Sequence, residues 1–186
     1  MSETYEAACW LALLGANEVK RALAKQVIYR WCVEQGQPLG ALFAANQMQA
    51  QESLEMGAAQ VAPVLATRKY VAAQEALLRD LEREGAHLLL RTDAAYPEAL
   101  TERLAEERLP YFFCYQGDPA MLTQPTVGVF GAAQPTVEAQ DAVRALAREL
   151  SAHGYTLVGG YGRGIDRLAF DEAILAGGHA AARGGR

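Results

Sequence analysis

The segment Tyr155–Gly178, YTLVGGYGRGIDRLAFDEAILAGG, constrains the fold more than any other part of the chain. Thr156-Leu157-Val158 is a short β-prone run that leads into Gly159, Gly160, Gly162 and Gly164. A helix-patterned stretch then starts near Ile165-Asp166 and stops at Gly177-Gly178. Strand, glycine-rich turn and helix in that order aim backbone N–H groups at an anion held at the helix N-terminus. Glycine serves where the backbone takes positive φ or approaches a ligand closely. The spacing is not that of the common dinucleotide fingerprint, and no Lys-Ser or Lys-Thr follows, so it is not a P-loop either. The segment points to phosphate, and so to a nucleotide or a nucleic acid. A tight turn with close strand–helix packing is the alternative.

The rest of the chain sets this segment in context. Tyr5 to about Glu84 is rich in Ala, Leu, Gln and Glu and reads as a set of short helices. Glu6–Leu14 ends at Gly15, and Asn17 is placed to cap a helix over Glu18–Val33. Gly36 and Pro38 interrupt, and helices are expected over Leu39–Ala45 and Met48–Met56. One longer helix is expected from about Val61 to Glu84, with Gly85 as its stop. At His87 the pattern changes. His87–Leu90 and Leu109–Tyr115 read as strands, with a turn at Asp93–Pro97 and a short helix over Glu98–Glu107 between them. Thr126–Phe130 reads as a third strand, Val137–His153 as an amphipathic helix, and Thr156–Val158 as a fourth strand. The βαβα order from Val127 predicts parallel strands joined by right-handed crossovers. The expected organisation is a helical domain over 1–85 and an α/β domain over 86–186.

Composition narrows the class. At 186 residues and 51% hydrophobic the chain is long enough and apolar enough to bury a core. Cys9, Cys32 and Cys114 are widely spaced, which argues against a disulfide framework or a zinc site and fits a reducing cytosol. The sequence shows neither a secretory signal pattern nor an apolar run of bilayer length, so a cytoplasmic protein without a membrane partner is expected. The net charge of −5 opposes a simple nucleic-acid reading, but a global charge is not a patch. From Val127 onward Arg144, Arg148, Arg163, Arg167, Arg183 and Arg186 balance the acids, so the acidity lies in the earlier part.

Several weak motifs fall in one order. Tyr96-Pro97-Glu98-Ala99-Leu100 comes first, then Pro110-Tyr111-Phe112-Phe113-Cys114-Tyr115-Gln116-Gly117, then Val127-Gly128-Val129-Phe130-Gly131-Ala132-Ala133-Gln134. The glycine run Val158-Gly159-Gly160-Tyr161-Gly162-Arg163-Gly164-Ile165-Asp166 and the helix ending Ala173–Gly178 complete the series. Together they resemble the DprA/Smf family of DNA-processing proteins. That family carries Tyr-Pro-x-x-Leu, a Pro-led strand ending in Gly, a Val-x-Ile-Val-Gly-Ser-Arg strand-turn, and a strand followed by Ser-Gly-x-Ala-x-Gly-Ile-Asp. The helical N-terminal part is similar to the family's sterile-alpha-motif-like domain. The resemblance implies an α/β fold class: a small helical domain, then a partial Rossmann-like parallel sheet. The chain stops eight residues past Gly178, where the family's sheet continues, so a C-terminally incomplete sheet with an unpaired edge is expected.

The resemblance also implies a function. The expectation is single-stranded DNA binding and protection in transformation or recombination, with loading of a RecA-type recombinase and no catalytic residue, metal or cofactor. The phosphate and DNA contacts would come from Gly131, Ala132, Gln134, Gly159, Gly160, Gly162, Arg163, Gly164 and Asp166. Tyr161 is a candidate for stacking on a base, and an exposed tyrosine without a role is the alternative. Asp166 would bond the ligand, hold the glycine turn, or act only as a first-turn acid favoured by the helix dipole. Three departures stand out. Ala133 replaces the family's arginine, Gly159 its serine and Phe170 its histidine, and each removes a polar group. Gln134, Thr136 and Arg163 are the substitutes at hand. A homodimer is an open alternative, although the family's later elements are lacking. A small-nucleotide sensor or phosphoribohydrolase-like protein of the same fold is the second reading, weakened by the lack of a Pro-Gly-Gly-x-Gly-Thr-x-x-Glu motif. An inactive fragment is the third. Trp10 and Trp31 are expected in the core, and no histidine shares metal-ligand spacing with a cysteine.

Overall fold

The computed structural model describes residues 2–182, apart from the side chains of Glu107, Leu122 and Thr123. The expected basic residues Arg183 and Arg186 lie outside the described residues. The chain divides into two compact units, Met1–Gly117 and Asp118–Arg186.

The first unit opens with α1 (Glu3–Leu14), capped by the Ser2 hydroxyl, which accepts from the Tyr5 N–H at 3.2 Å. Next come α2 (Arg21–Ile28), α3 (Leu39–Ala44), α4 (Gln47–Leu54), α5 (Ala58–Ala66) and α6 (Val71–Arg83). Their apolar faces meet around Trp10, Leu13, Val27, Ile28, Leu39, Leu42, Leu54, Val61 and Val64, all fully buried. Burying one such side chain contributes roughly 1.5–3 kcal/mol. Glu6 ties the bundle together. Its carboxylate accepts from the Trp10 indole at 2.9 Å and from the Leu39 and Gly40 N–H groups at 2.6 and 3.0 Å. A carboxylate from α1 thus satisfies the orphan donors that begin α3.

Two helix expectations need correction. Asn17 does not cap a helix; α2 begins only at Arg21, after a turn that buries Val19. Glu18, which was expected to be inside that helix, instead accepts from the Tyr70 hydroxyl at 2.5 Å and pairs with Lys69 at 3.0 Å. The helix then continues beyond Ile28 as a π-helical turn over Tyr29–Glu34. The single long helix expected from Val61 to Glu84 is broken as well. It runs as α5, a 3₁₀ turn over Thr67–Tyr70, and α6. The fully buried Thr67 hydroxyl donates to the Val64 carbonyl at 2.7 Å, so the break is packed and satisfied rather than frayed.

Gly85, at φ +76°, ends the helical run and leads into β1 (Ala86–Leu90). β1 pairs antiparallel with β2 (Phe112–Gln116), Leu88 opposite Cys114 and Leu90 opposite Phe112. Between them lies α7 (Glu98–Arg103). Leu90 and Tyr111 belong to the helical core, with Leu88 and Phe112 packed against it. That burial is why the compact unit runs on to Gly117, past the change of pattern at 85. Arg91 lies between the Tyr29 and Tyr111 rings, 5.6 and 5.5 Å from their centroids, and is paired with Glu106. Tyr111 also donates to Glu106 at 2.6 Å. Burial pushes the Glu106 carboxyl up, but the Arg91 and Tyr111 hydrogen bonds outweigh it and hold the group below its ordinary range.

The second unit is a three-stranded parallel sheet in the order β3 (Thr126–Gly128), β4 (Thr156–Gly159), β5 (His179–Ala182). Helix α8 (Val137–Ala152) connects β3 to β4, and α9 (Ile165–Leu175) connects β4 to β5. The third strand is shorter than expected by two residues. Val129 still donates to Val158 at 2.9 Å, but Phe130 has left the ladder. Thr136 caps α8, accepting from the Ala139 N–H at 3.3 Å, and is thereby engaged in the fold. Gly154, at φ +77°, turns the chain from α8 into β4. The core here is thin: Val143, Ala147, Leu157, Ala169, Ala173 and Ala180. Among the described residues no helix is long and apolar enough to cross a membrane.

Candidate functional site

In a parallel sheet the turns that leave the carboxyl ends of neighbouring strands lie side by side, and ligands of open α/β folds bind there. The turn after β3 runs from Val129 to Thr136, and the turn after β4 from Gly160 to Gly164. The sequence-expected residues divide between them, and the structure joins the two. The Gly131 N–H donates to Asp166 Oδ1 at 2.9 Å. The Ile165 N–H donates to the Ala132 carbonyl at 3.1 Å. The contact is possible only because both crossing points are glycine. A Cβ on Gly131 would sit 2.7 Å from Ile165 Cβ. One on Gly164, which has φ +90°, would sit 2.1 Å from the Ala132 carbonyl oxygen.

This interlock accounts for part of the glycine content without a ligand. Gly131 and Gly164 serve chain-to-chain approach, the packing alternative stated for the turn. Gly159 lies at the end of β4, with Val129 O 3.1 Å from its Cβ position. Gly160 and Gly162 face Asp166, with Oδ2 3.3 and 3.8 Å from their Cβ positions. Asp166 is a first-turn residue of α9 whose carboxylate reaches back to hold the first turn, so the Gly131 N–H is occupied.

What remains open is a row of donors. Among the described residues, the N–H groups of Ala132, Ala133, Gln134, Gly160, Tyr161, Gly162 and Arg163 have no intramolecular acceptor. All seven residues are exposed. Arg163 is exposed and its guanidinium has no partner within the described chain. Arg148, by contrast, pairs with Glu172 at 3.2 Å.

Tyr161 takes a left-handed backbone, φ +51°, an uncommon conformation for a bulky residue. Its ring is held from two sides. Arg167 lies over it at 4.4 Å and donates to its hydroxyl at 3.0 Å, and Phe170 meets it edge-on at 4.7 Å. The hydrogen bond to Tyr161 also raises the Arg167 guanidinium above its ordinary pKa. Phe170, which stands where the family resemblance places a histidine, is half-buried and packs against the small core. Sequence reasoning missed Phe130. It was read as the last residue of a strand, yet it lies in the first turn and is 72% exposed. The signal that could have found it is the Gly131 beside it, which ends the strand early.

Among the described residues the turns border a small recess. The recess bounded by Val129, Leu157, Val158, Gly159, Asp166, Ala169 and Phe170 holds only about 10 Å³. A larger cleft of about 440 Å³ belongs to the other unit, lined in part by Glu3, Glu82, Asp93 and His87. Burial raises the Asp93 carboxyl above its ordinary range, with the Leu90 N–H acting in the opposite direction. Among the described residues no group of three or more His, Cys, Asp or Glu is placed to hold a metal ion.

A parallel sheet with glycine-rich turns at its carboxyl end, following a helical N-terminal unit in sequence, defines a Rossmann-like α/β protein. Residues 87–185 match the model of the DNA recombination-mediator protein A family, and the chain belongs to that family. Its fold is similar to that of DNA processing protein A (DprA) from Streptococcus pneumoniae, a solved structure, with a TM-score of 0.55 and 19% identity. The likeness covers 97% of this chain and 57% of that one, so the chain spans somewhat over half the length of that relative. No curated protein matches the chain.

Proposed function

We propose that the chain binds single-stranded DNA across the two interlocked turns and, as a recombination mediator, delivers it to a RecA-type recombinase. One observation carries the reading: exposed, unpaired N–H groups at 132–134 and 160–163 flank an Arg163 that has no intramolecular partner. N–H groups and a guanidinium both donate to phosphate oxygens, and neither reads sequence. Ala132, Gln134, Gly160, Gly162 and Arg163 are therefore the direct contacts. Gly131, Gly159, Gly164 and Asp166 act by holding the turns in place. Ala133 contributes its N–H alone, since it has no side-chain donor.

The surface is open rather than enclosed, which suits a polymer passing over it. A small-nucleotide sensor needs a pocket of about 300 Å³ or more, and the recess at the turns, about 10 Å³, does not favour that second reading. Captured phosphates release counterions, so binding should fall steeply as salt rises. Fluorescence anisotropy with a labelled single-stranded oligonucleotide tests the proposal. Wild type should bind at low salt and lose affinity as salt rises, and Arg163→Ala should bind more weakly with a shallower salt dependence. Absence of binding at low salt by wild type sinks the proposal. Recombinase delivery is read separately, as faster assembly of a RecA-type filament on oligonucleotide in the presence of the chain. Light scattering across a concentration series reads the homodimer.

A further inference from the structure

We infer that Phe130 is the base-stacking residue of this site and gives it a preference for single strands over duplex. The inference rests on the DNA-binding reading above and deepens it. A lone exposed apolar residue is ordinary on a protein surface. Phe130 differs in where it stands and how it is held. It precedes Gly131, whose N–H is fixed to Asp166, and it follows Val129, whose N–H is fixed to Val158. Its backbone is thus pinned on both sides. Its ring lies over Gly128, where a Cβ would come within 3.1 Å of the ring edge, so a glycine there makes room for it. The result is an aromatic ring, 72% exposed, in the same turn as the open N–H groups of 132–134.

Tyr161, the aromatic expected from sequence to stack on a base, is less suited. Arg167 covers its ring at 4.4 Å, Phe170 meets it at 4.7 Å, and it is 37% exposed. A base would have to displace the guanidinium to reach that face. Phe130 needs no such displacement. Aromatic rings hold unpaired bases without sequence preference, because every base has a π-face. A base in a duplex is already stacked and paired and cannot use the ring without leaving the helix. Phosphate capture by N–H groups and Arg163 does not distinguish the two forms; a stacking ring does.

The test uses the 186-residue chain and three probes of equal length: a single strand, its duplex, and an abasic single strand with the same phosphates and no bases. Phe130→Ala should weaken the base-bearing single strand by about tenfold and leave the abasic strand unchanged. Phe130→Trp should retain or tighten binding, and Phe130→Leu should fall between. Arg163→Ala should weaken all three probes. Unchanged melting of Phe130→Ala excludes an effect through the fold, as expected for an exposed side chain. Equal affinity of wild type and Phe130→Ala for the base-bearing strand overturns the inference while leaving phosphate capture standing. An equal loss on the abasic strand overturns it too. If wild type binds none of the probes, the DNA-binding reading falls and takes this inference with it.

Discussion

The two units bury their apolar residues by different means. In Met1–Gly117 the interior is filled by large side chains, among them Trp10, Leu13, Ile28, Leu39, Leu42 and Leu54, each fully buried. In Asp118–Arg186 the interior is mostly alanine, with Val143 and Leu157 as its largest members, while Phe130, Val137, Leu146, Ile174 and Leu175 are exposed. The helical unit can rely on burial, which is non-directional and tolerant of exact geometry. The sheet unit relies on close backbone approach at Gly131 and Gly164 and on a few directed bonds. The difference teaches where each is vulnerable. Loss of volume should harm the first, and gain of a single methyl group should harm the second.

Predictions that break or sharpen this contrast run from large to small. Leu42→Ala should destabilise the helical unit by about 2–5 kcal/mol, the usual range for emptying a fully buried leucine site. Denaturant titration followed by tryptophan fluorescence reads it, because Trp10 and Trp31 both lie in that unit. A cost below about 1 kcal/mol would mean the helical core is looser than its burial implies.

Gly164→Ala should cost more than about 1 kcal/mol, because an L-residue is strained at positive φ and the methyl group meets a backbone carbonyl that cannot yield. Thermal melting followed by far-UV circular dichroism checks it. DNA binding should fall in parallel as the two turns part. A neutral Gly164→Ala would remove the interlock from the account and return the glycines to a direct ligand role.

Asp166→Asn keeps an acceptor for the Gly131 N–H but removes the negative charge beside the open donors. A stability loss of about 1 kcal/mol is expected, since a hydrogen bond to a charged acceptor is worth more than one to a neutral acceptor. Oligonucleotide affinity should rise, because a like charge near phosphate is lost. Abolished binding with an intact fold would instead put Asp166 in contact with the ligand.

The smallest effect concerns Glu18, whose carboxyl is held down to about 2 by the Tyr70 hydrogen bond first, then by a backbone N–H and the Lys69 contact. A folded-state pKa below the unfolded one stabilises above the unfolded value, here 4.5, and that contribution is lost as pH falls through about 2. Glu18→Gln should therefore lower the melting temperature slightly at neutral pH, and the difference from wild type should shrink between those two values. The pair is exposed, so the shift should be small.

Much of the fold was legible because its signals are local. Gly85 stands where positive φ ends a helix, as its place in the sequence predicts. The β-prone runs at 126–128 and 156–158 and the amphipathic helix between them carry their own periodicity. Even the alanine-rich 179–182 stretch, a poor strand former, pairs with β4 through backbone bonds that need no particular side chain. The failures share one cause. The break between α5 and α6 carries the buried Thr67, and the turn ahead of α2 buries Val19. Both are long-range or packing effects that override helical propensity.

The site divides along the same line. Residue type and order determined by themselves that a strand would enter a glycine-rich turn and a helix, because glycine and β-branched residues act on their own backbone. Composition likewise determined that the net negative charge lies ahead of Val127. Only the tertiary structure decided which glycines serve packing and which leave donors open. It decided too that Asp166 spends its carboxylate on Gly131, that Arg167 and Phe170 pack on the Tyr161 ring, and that Phe130 is 72% exposed. The physical reason is that those outcomes depend on which atoms the folded chain brings together, as when a hydrogen bond joins Gly131 to Asp166, 35 positions on.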